Sequence, residues 1–142
     1  MRAFTLDQVV SSLMPKTLSD LTRNSKGNVK IYLSSPEEVA KLTTTFKVER
    51  LTGNFERWSI ISIHLPALNT TQLFLVGHSQ EFDKSLMTSE IVGIDGDTVH
   101  TRSGSYYRLV GERSDNPDVS NILATLDGWG LGTCFGLPPS FF

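Results

Sequence analysis

The chain has 142 residues, of which 39% are hydrophobic and 20% charged, and its formal net charge is -2. This is the composition of one ordinary globular domain, and it excludes a disordered chain and a membrane-embedded helix bundle. The near-neutral, mixed charge also argues against an electrostatic nucleic-acid binder, which needs a basic face to displace counterions.

Met1 to Val10 lacks a basic start followed by a long apolar run, which predicts no secretory signal. No apolar stretch approaches the roughly 20 residues that cross a bilayer, so no membrane association is expected. Cys134 is the only cysteine, which excludes an intrachain disulfide and a cysteine-based zinc site. A cytoplasmic setting is the expectation.

In chain order, Thr5-Leu6-Asp7-Gln8 has the pattern of a capping box, and Leu6, Val9, Val10 and Leu13 follow at helical spacing until Pro15. A short second turn, Thr17 to Arg23, carries Leu18 and Leu21. Val29 to Leu33 alternates as a strand. Ser35-Pro36-Glu37-Glu38 is a strong helix start, and Val39, Leu42 and Phe46 give that helix its buried stripe. Lys47–Leu51 and Arg57–Leu65 read as two strands about a turn at Thr52-Gly53-Asn54.

Along the second of these strands, Trp58, Ile60 and Ser62 share one face, and Ile61, Ile63 and Leu65 the other. A strand apolar on both sides belongs in the middle of a sheet, covered twice. Gln72 to Gly77 begins another strand, and His78 to Met87 reads as a charged loop. Turn chemistry at Asp95-Gly96-Asp97 and Ser103-Gly104 then divides three antiparallel strands, near Ser89–Ile94, Thr98–Arg102 and Ser105–Val110. Asn116-Pro117 is placed to cap a last helix with the stripe Val119, Ile122, Leu123 and Leu126. Gly128 takes the C-cap position. An uncharged tail, GWGLGTCFGLPPSFF, follows.

The pattern predicts one compact α+β domain over 1–142. Residues 1–27 are helical, a mostly antiparallel sheet with one inserted helix spans 29–111, and 116–142 form a closing helix and tail.

No catalytic signature stands out. His64, His78 and His100 match no metal-ligand spacing and read as structural residues, with no cofactor expected. Asp95 and Asp97 are explained by the hairpin turn they build. Ser103-Gly104-Ser105 lies in a turn, not at a strand-to-helix elbow, and Cys134 has no base near it in sequence. On a strand, Tyr106 and Arg108 share a face, and with Arg102 they form a ring-and-guanidinium surface suited to a nucleotide base or phosphate. The alternative is a solvated sheet face with ordinary cross-strand pairs. In the tail, Trp129, Phe135, Phe141 and Phe142 are aromatic anchors of the kind that dominate interfaces, unless they close the domain by packing on its own sheet.

Two segments, TSEIVGIDGDTVHTRSGSYYRLVG and ILATLDGWGLGTCFGLPPSFF, resemble small bacterial proteins carried by prophages, plasmids and other mobile elements. The matching positions are Thr88, Ser89, Tyr107, Leu109, Trp129 and Gly130. The resemblance covers about the last third of the chain. It implies no chemistry, only a context in which accessory proteins bind host machinery.

The leading expectation is therefore a non-enzymatic binding protein that docks onto a protein partner or onto itself. One concrete version is an inhibitor or modulator of a host defence or nucleic-acid-processing complex. A nucleotide or RNA binder using Arg102, Tyr106 and Arg108 is the second reading. A small metal-dependent hydrolase or nuclease using His64, His100 and acidic neighbours with a metal is the third.

Overall fold

A computed structural model describes residues 16–130. Helix α1 (Leu18–Asn24) is followed by β1 (Lys30–Leu33), α2 (Pro36–Leu42), β2 (Gly53–Leu65), β3 (Thr70–Ser79), β4 (Lys84–Asp95), β5 (Thr98–Thr101), β6 (Tyr106–Val110) and α3 (Val119–Gly128). The helix expected from Thr5 to Leu13 lies outside the described residues, as does the tail beyond Gly130.

Strands β2 to β6 form an antiparallel meander that closes on itself, because β6 also pairs with β2. That pairing is parallel, with Gly53 opposite Tyr107 and Glu56 opposite Val110. An up-and-down meander of odd strand number brings its first and last strands into the same direction. The α+β class is present, and the sequence reading is extended by a five-stranded barrel. β1 attaches antiparallel to the second half of β2, Leu33 opposite Ile61.

Closure is possible because β2 bends. Its register with β3 shifts between Glu56 and Ser59, and Arg57 sits at a φ of 47°. A bulge of this kind kinks a strand and re-aims its side chains. Gly77 on β3 accommodates the kink, since a Cβ there would stand 2.9 Å from the Trp58 Cα and 3.1 Å from the Glu56 carbonyl. The first half of β2 is thus free to pair with β6 and the second with β1. Glu81 fastens the start of β2, its two carboxylate oxygens accepting from the Asn54 N–H at 2.9 and 3.1 Å. These hydrogen bonds, that backbone one foremost, hold the Glu81 carboxyl below its ordinary pKa.

Two hydrophobic clusters share the strands between them. Phe55, Ile60, Leu73, Leu75, Ile91, Ile94 and Val99 fill the barrel, with Val39 and Leu42 of α2 packed against them. Ile31, Ile61, Ile63, Phe74 and Val76 form an outer sheet face, roofed by Leu21 of α1 and by Val119, Ile122, Leu123 and Leu126 of α3. β2 and β3 are therefore apolar on both sides, as their sequences require. Among the described residues every buried side-chain nitrogen or oxygen has a hydrogen-bond partner.

The exposed edge of β1 is capped by side chains of and just after α1. The Thr22 hydroxyl accepts from the Ile31 N–H at 2.9 Å and lies 3.1 Å from the Ile31 carbonyl. Ser25 Oγ accepts from the Val29 N–H at 3.2 Å and lies 2.7 Å from the Val29 carbonyl. Two hydroxyls thus occupy edge groups that would otherwise template another strand.

Several boundaries differ from the sequence reading. Lys47–Leu51 is not a strand and no hairpin turns at Thr52-Gly53-Asn54; β2 already begins at Gly53. Residues 43–52 instead cross the outside of the barrel, the Thr44 N–H donating to the Ile94 carbonyl (2.9 Å) and the Thr52 N–H to that of Tyr106 (2.7 Å). Phe46 belongs to this strap and not to α2, which ends at Leu42. His78 to Met87 is no loop: β3 runs to Ser79 and β4 starts at Lys84, around a turn whose Asp83 has a φ of 51°. Asp118, one residue later than the expected Asn116-Pro117, caps α3 by accepting from the Asn121 N–H at 3.1 Å. Gly128 is still helical, and Gly130 is the glycine with positive φ, at 84°.

Candidate binding surfaces

α3 is built for one face. Its apolar residues recur three and four apart, so they line one side and bury against the outer sheet. Asn121 ties the helix to β4, its amide donating to the Ser85 carbonyl at 3.1 Å. At the far end the Trp129 N–H bonds back to the Thr125 and Leu126 carbonyls, and the Gly130 N–H to that of Asp127. The Trp129 ring rests with its centroid 5.5 Å from that of the buried Phe74, yet the residue is 46% exposed. A tryptophan placed over core but half open to water is a ready anchor. Phe135, Phe141 and Phe142, the other expected anchors, lie outside the described residues.

The second expected surface is partly assembled. Tyr107 and Leu109 point into the barrel, the Tyr107 ring 5.0 Å from that of Phe55, so Tyr106 and Arg108 face outward. Tyr106 stacks on His100 of β5, with centroids 4.3 Å apart and planes 16° from parallel, and Phe46 tilts against both. A cleft of about 420 Å³ lies beside Tyr106, lined by Glu49, Arg50, Leu51, Thr52 and Gly104. Arg108 is exposed and opposes Thr98. Arg102 is already engaged: its Nε lies 2.8 Å and its Nη2 2.6 Å from the Glu90 carboxylate, which also accepts from Gln72.

The three histidines stay apart. His64 bonds Thr71 at 2.8 Å, His78 bonds Asp83 at 2.9 Å, and His100 lies against Tyr106 with its Nδ1 3.2 Å from the Ser105 carbonyl. Asp95 and Asp97 flank the β4–β5 turn, where Gly96 has a φ of 60°. Among the described residues no three His, Cys, Asp or Glu side chains gather as metal ligands. Cys134 falls outside them.

Of Thr88, Ser89, Tyr107, Leu109, Trp129 and Gly130, the first four have structural work. Thr88 Oγ1 accepts from the Leu75 N–H, beside a register shift between β3 and β4, and donates to the Ser89 carbonyl. Ser89 bonds Ser103, while Tyr107 and Leu109 pack the barrel. Only Trp129 and Gly130 lie at a surface end.

Two features escape a reading of the sequence. Phe46 completes the Tyr106 cluster from a stretch with no regular pattern of its own. Arg113 stands over an apolar slot whose other walls are more than 50 residues away in the chain. No local signal announces either.

Comparison with protein-family models, with curated proteins and with solved structures finds no match. No helix of the described residues is long and apolar enough to cross a membrane.

Proposed function

We propose that this chain is a non-enzymatic docking protein that binds a protein partner, or a second copy of itself, through the Trp129 end of α3 and the tail beyond it. The observation that carries this reading is the half-open Trp129 ring seated over Phe74. Aromatic side chains of this kind contribute disproportionately to interface energy. The uncharged, glycine- and aromatic-rich sequence that follows would extend such a patch. The resemblance of the last third to mobile-element proteins suggests host machinery as the partner and modulation of it as the outcome.

The test compares the full chain with one ending at Gly130. Mass is read by light scattering, and crosslinked partners are read after expression in a bacterial host. A truncated chain that melts like the full one but loses its self-association, or a specific crosslinked partner, supports the proposal. Loss of folding on truncation, or unchanged association in both assays, overturns it.

A second reading, nucleotide or RNA binding, draws on the cleft beside Tyr106 and the outward Arg108. It expects binding that weakens steeply with salt and falls in Arg108→Ala. The engagement of Arg102 by Glu90 removes one of its three groups, so it stands second.

A further inference from the structure

The wall of the barrel has a gap. Along one edge of β2, β6 pairs as far as Glu56 and β1 begins pairing at Ile61. The Ile60 carbonyl accepts from the Ser34 N–H at 2.9 Å, just past β1, and Trp58 and Ser59 are met by the loop after β6. There the Trp58 indole N–H donates to the Gly111 carbonyl at 3.2 Å, and the Ser114 N–H donates to the Trp58 carbonyl at 2.7 Å. The Ser59 hydroxyl donates to the Ser114 carbonyl at 2.6 Å. Three bonds thus fix the backbone on both sides of Arg113.

In this gap lies a cleft of about 210 Å³, lined by Ser34, Pro36, Val39, Trp58, Ile60 and Arg113. Its walls are apolar apart from Ser34, whose hydroxyl is already bonded to Ser62 at 2.8 Å. Among the described residues, Arg113 is the one charged side chain in the lining. It pairs with Asp115 at 3.5 Å, and the two side chains are 54% and 73% exposed. A pair that loose and wet holds the guanidinium weakly. A carboxylate presented from inside the slot would meet the same group in a drier place and in bidentate geometry.

From this arrangement we infer that the slot binds a small organic monocarboxylate with an aryl or short branched-alkyl body. The body lies between Val39, Trp58 and Ile60, and the carboxylate pairs with Arg113. The charge follows from the lining, which among the described residues offers a cation and no anion. The size follows from the volume, which is below the roughly 300–1,000 Å³ of clefts for drug-sized ligands and so sets a limit near phenylacetate. This site is separate from the Trp129 surface and does not depend on the docking reading.

The experiment uses Trp129→Phe as the background, so that Trp58 is the only remaining indole. Phenylacetate is titrated while Trp58 fluorescence is followed, with phenylacetamide as the uncharged control. A saturable change with a dissociation constant of about 0.1–1 mM is expected for so small a ligand. It should weaken about tenfold or more for the amide and in Arg113→Gln, as loss of a charge-assisted pair requires. Val39→Phe, which fills the slot, should abolish it. No saturation up to about 10 mM, or equal binding by the amide or by Arg113→Gln, overturns the assignment.

Discussion

The two hydrophobic clusters of this protein use opposite faces of the same strands and are closed in different ways. The barrel interior is enclosed by five strands that bond to one another in a ring, with α2 against one end. The outer cluster is covered by two separate helices of seven and ten residues, and its border runs out at a tryptophan half open to water. Strands bonded to neighbours along most of their length resist collapse more than a roof of short helices does. The interior chiefly holds the fold, and the border of the outer cluster is where an aromatic surface is left for a large partner.

Equal-sized cavities should test that contrast most strongly. Leu75→Ala, fully buried in the barrel cluster, should fall at the upper end of the range of about 2–5 kcal/mol in chemical denaturation, because the bonded strands collapse little around the hole. Leu123→Ala under the roof, equally buried, should stay nearer the lower end of about 2–5 kcal/mol, since α3 can settle inward. A larger loss for Leu123 than for Leu75 would break the comparison.

Thr22→Val sharpens it at the sheet edge. The substitution keeps shape but removes the hydroxyl that serves both the N–H and the carbonyl of Ile31. It should cost about 1–3 kcal/mol and speed amide hydrogen exchange at Ile31. Unchanged exchange there would mean that the hydroxyl cap is idle.

The smallest effect lies at the fastening of β2. Because the folded Glu81 carboxyl titrates lower than in the unfolded chain, its contribution is present at neutral pH. It is lost as pH falls from the ordinary glutamate range through the folded value. Glu81 is exposed, so Glu81→Gln should cost less than about 1 kcal/mol at pH 7. The variant should also lose less stability than the parent on acidification. An identical acid profile would remove Glu81 from the seam.

What the sequence revealed was whatever is decided locally. Ser35-Pro36-Glu37-Glu38 marks α2 because a capping serine, a proline and a glutamate act within one turn. The two-faced apolar run from Ile60 to Ile63 marks β2 as central for the same reason. Barrel closure was not legible, because it rests on Gly53–Glu56 meeting Tyr107–Val110 some fifty residues on, and neither segment announces a parallel partner. The strap at 43–52 has the sequence pattern of a helix end and a strand, but its hydrogen bonds go to distant carbonyls that no local pattern reveals. Charge at Gln80 to Lys84 suggested a loop where two strands project and turn tightly.

Of the surfaces, Trp129 and the outward pair Tyr106 and Arg108 were legible from residue type and alternation. The engagement of Arg102 by Glu90 was not, since twelve residues separate them. The Arg113 slot was further from reach, because α2, β2 and the loop after β6 contribute to it from three separate stretches.

The most direct test of the central claim is the stability of Trp129→Ala in chemical denaturation. If Trp129 is an anchor kept open for a partner, the substitution removes only its contact with Phe74 from the folded state. The variant should then fall within about 1.5 kcal/mol of the parent. A loss of about 3–5 kcal/mol, the cost of removing a core tryptophan, would make the ring part of the fold and leave the docking reading without its anchor.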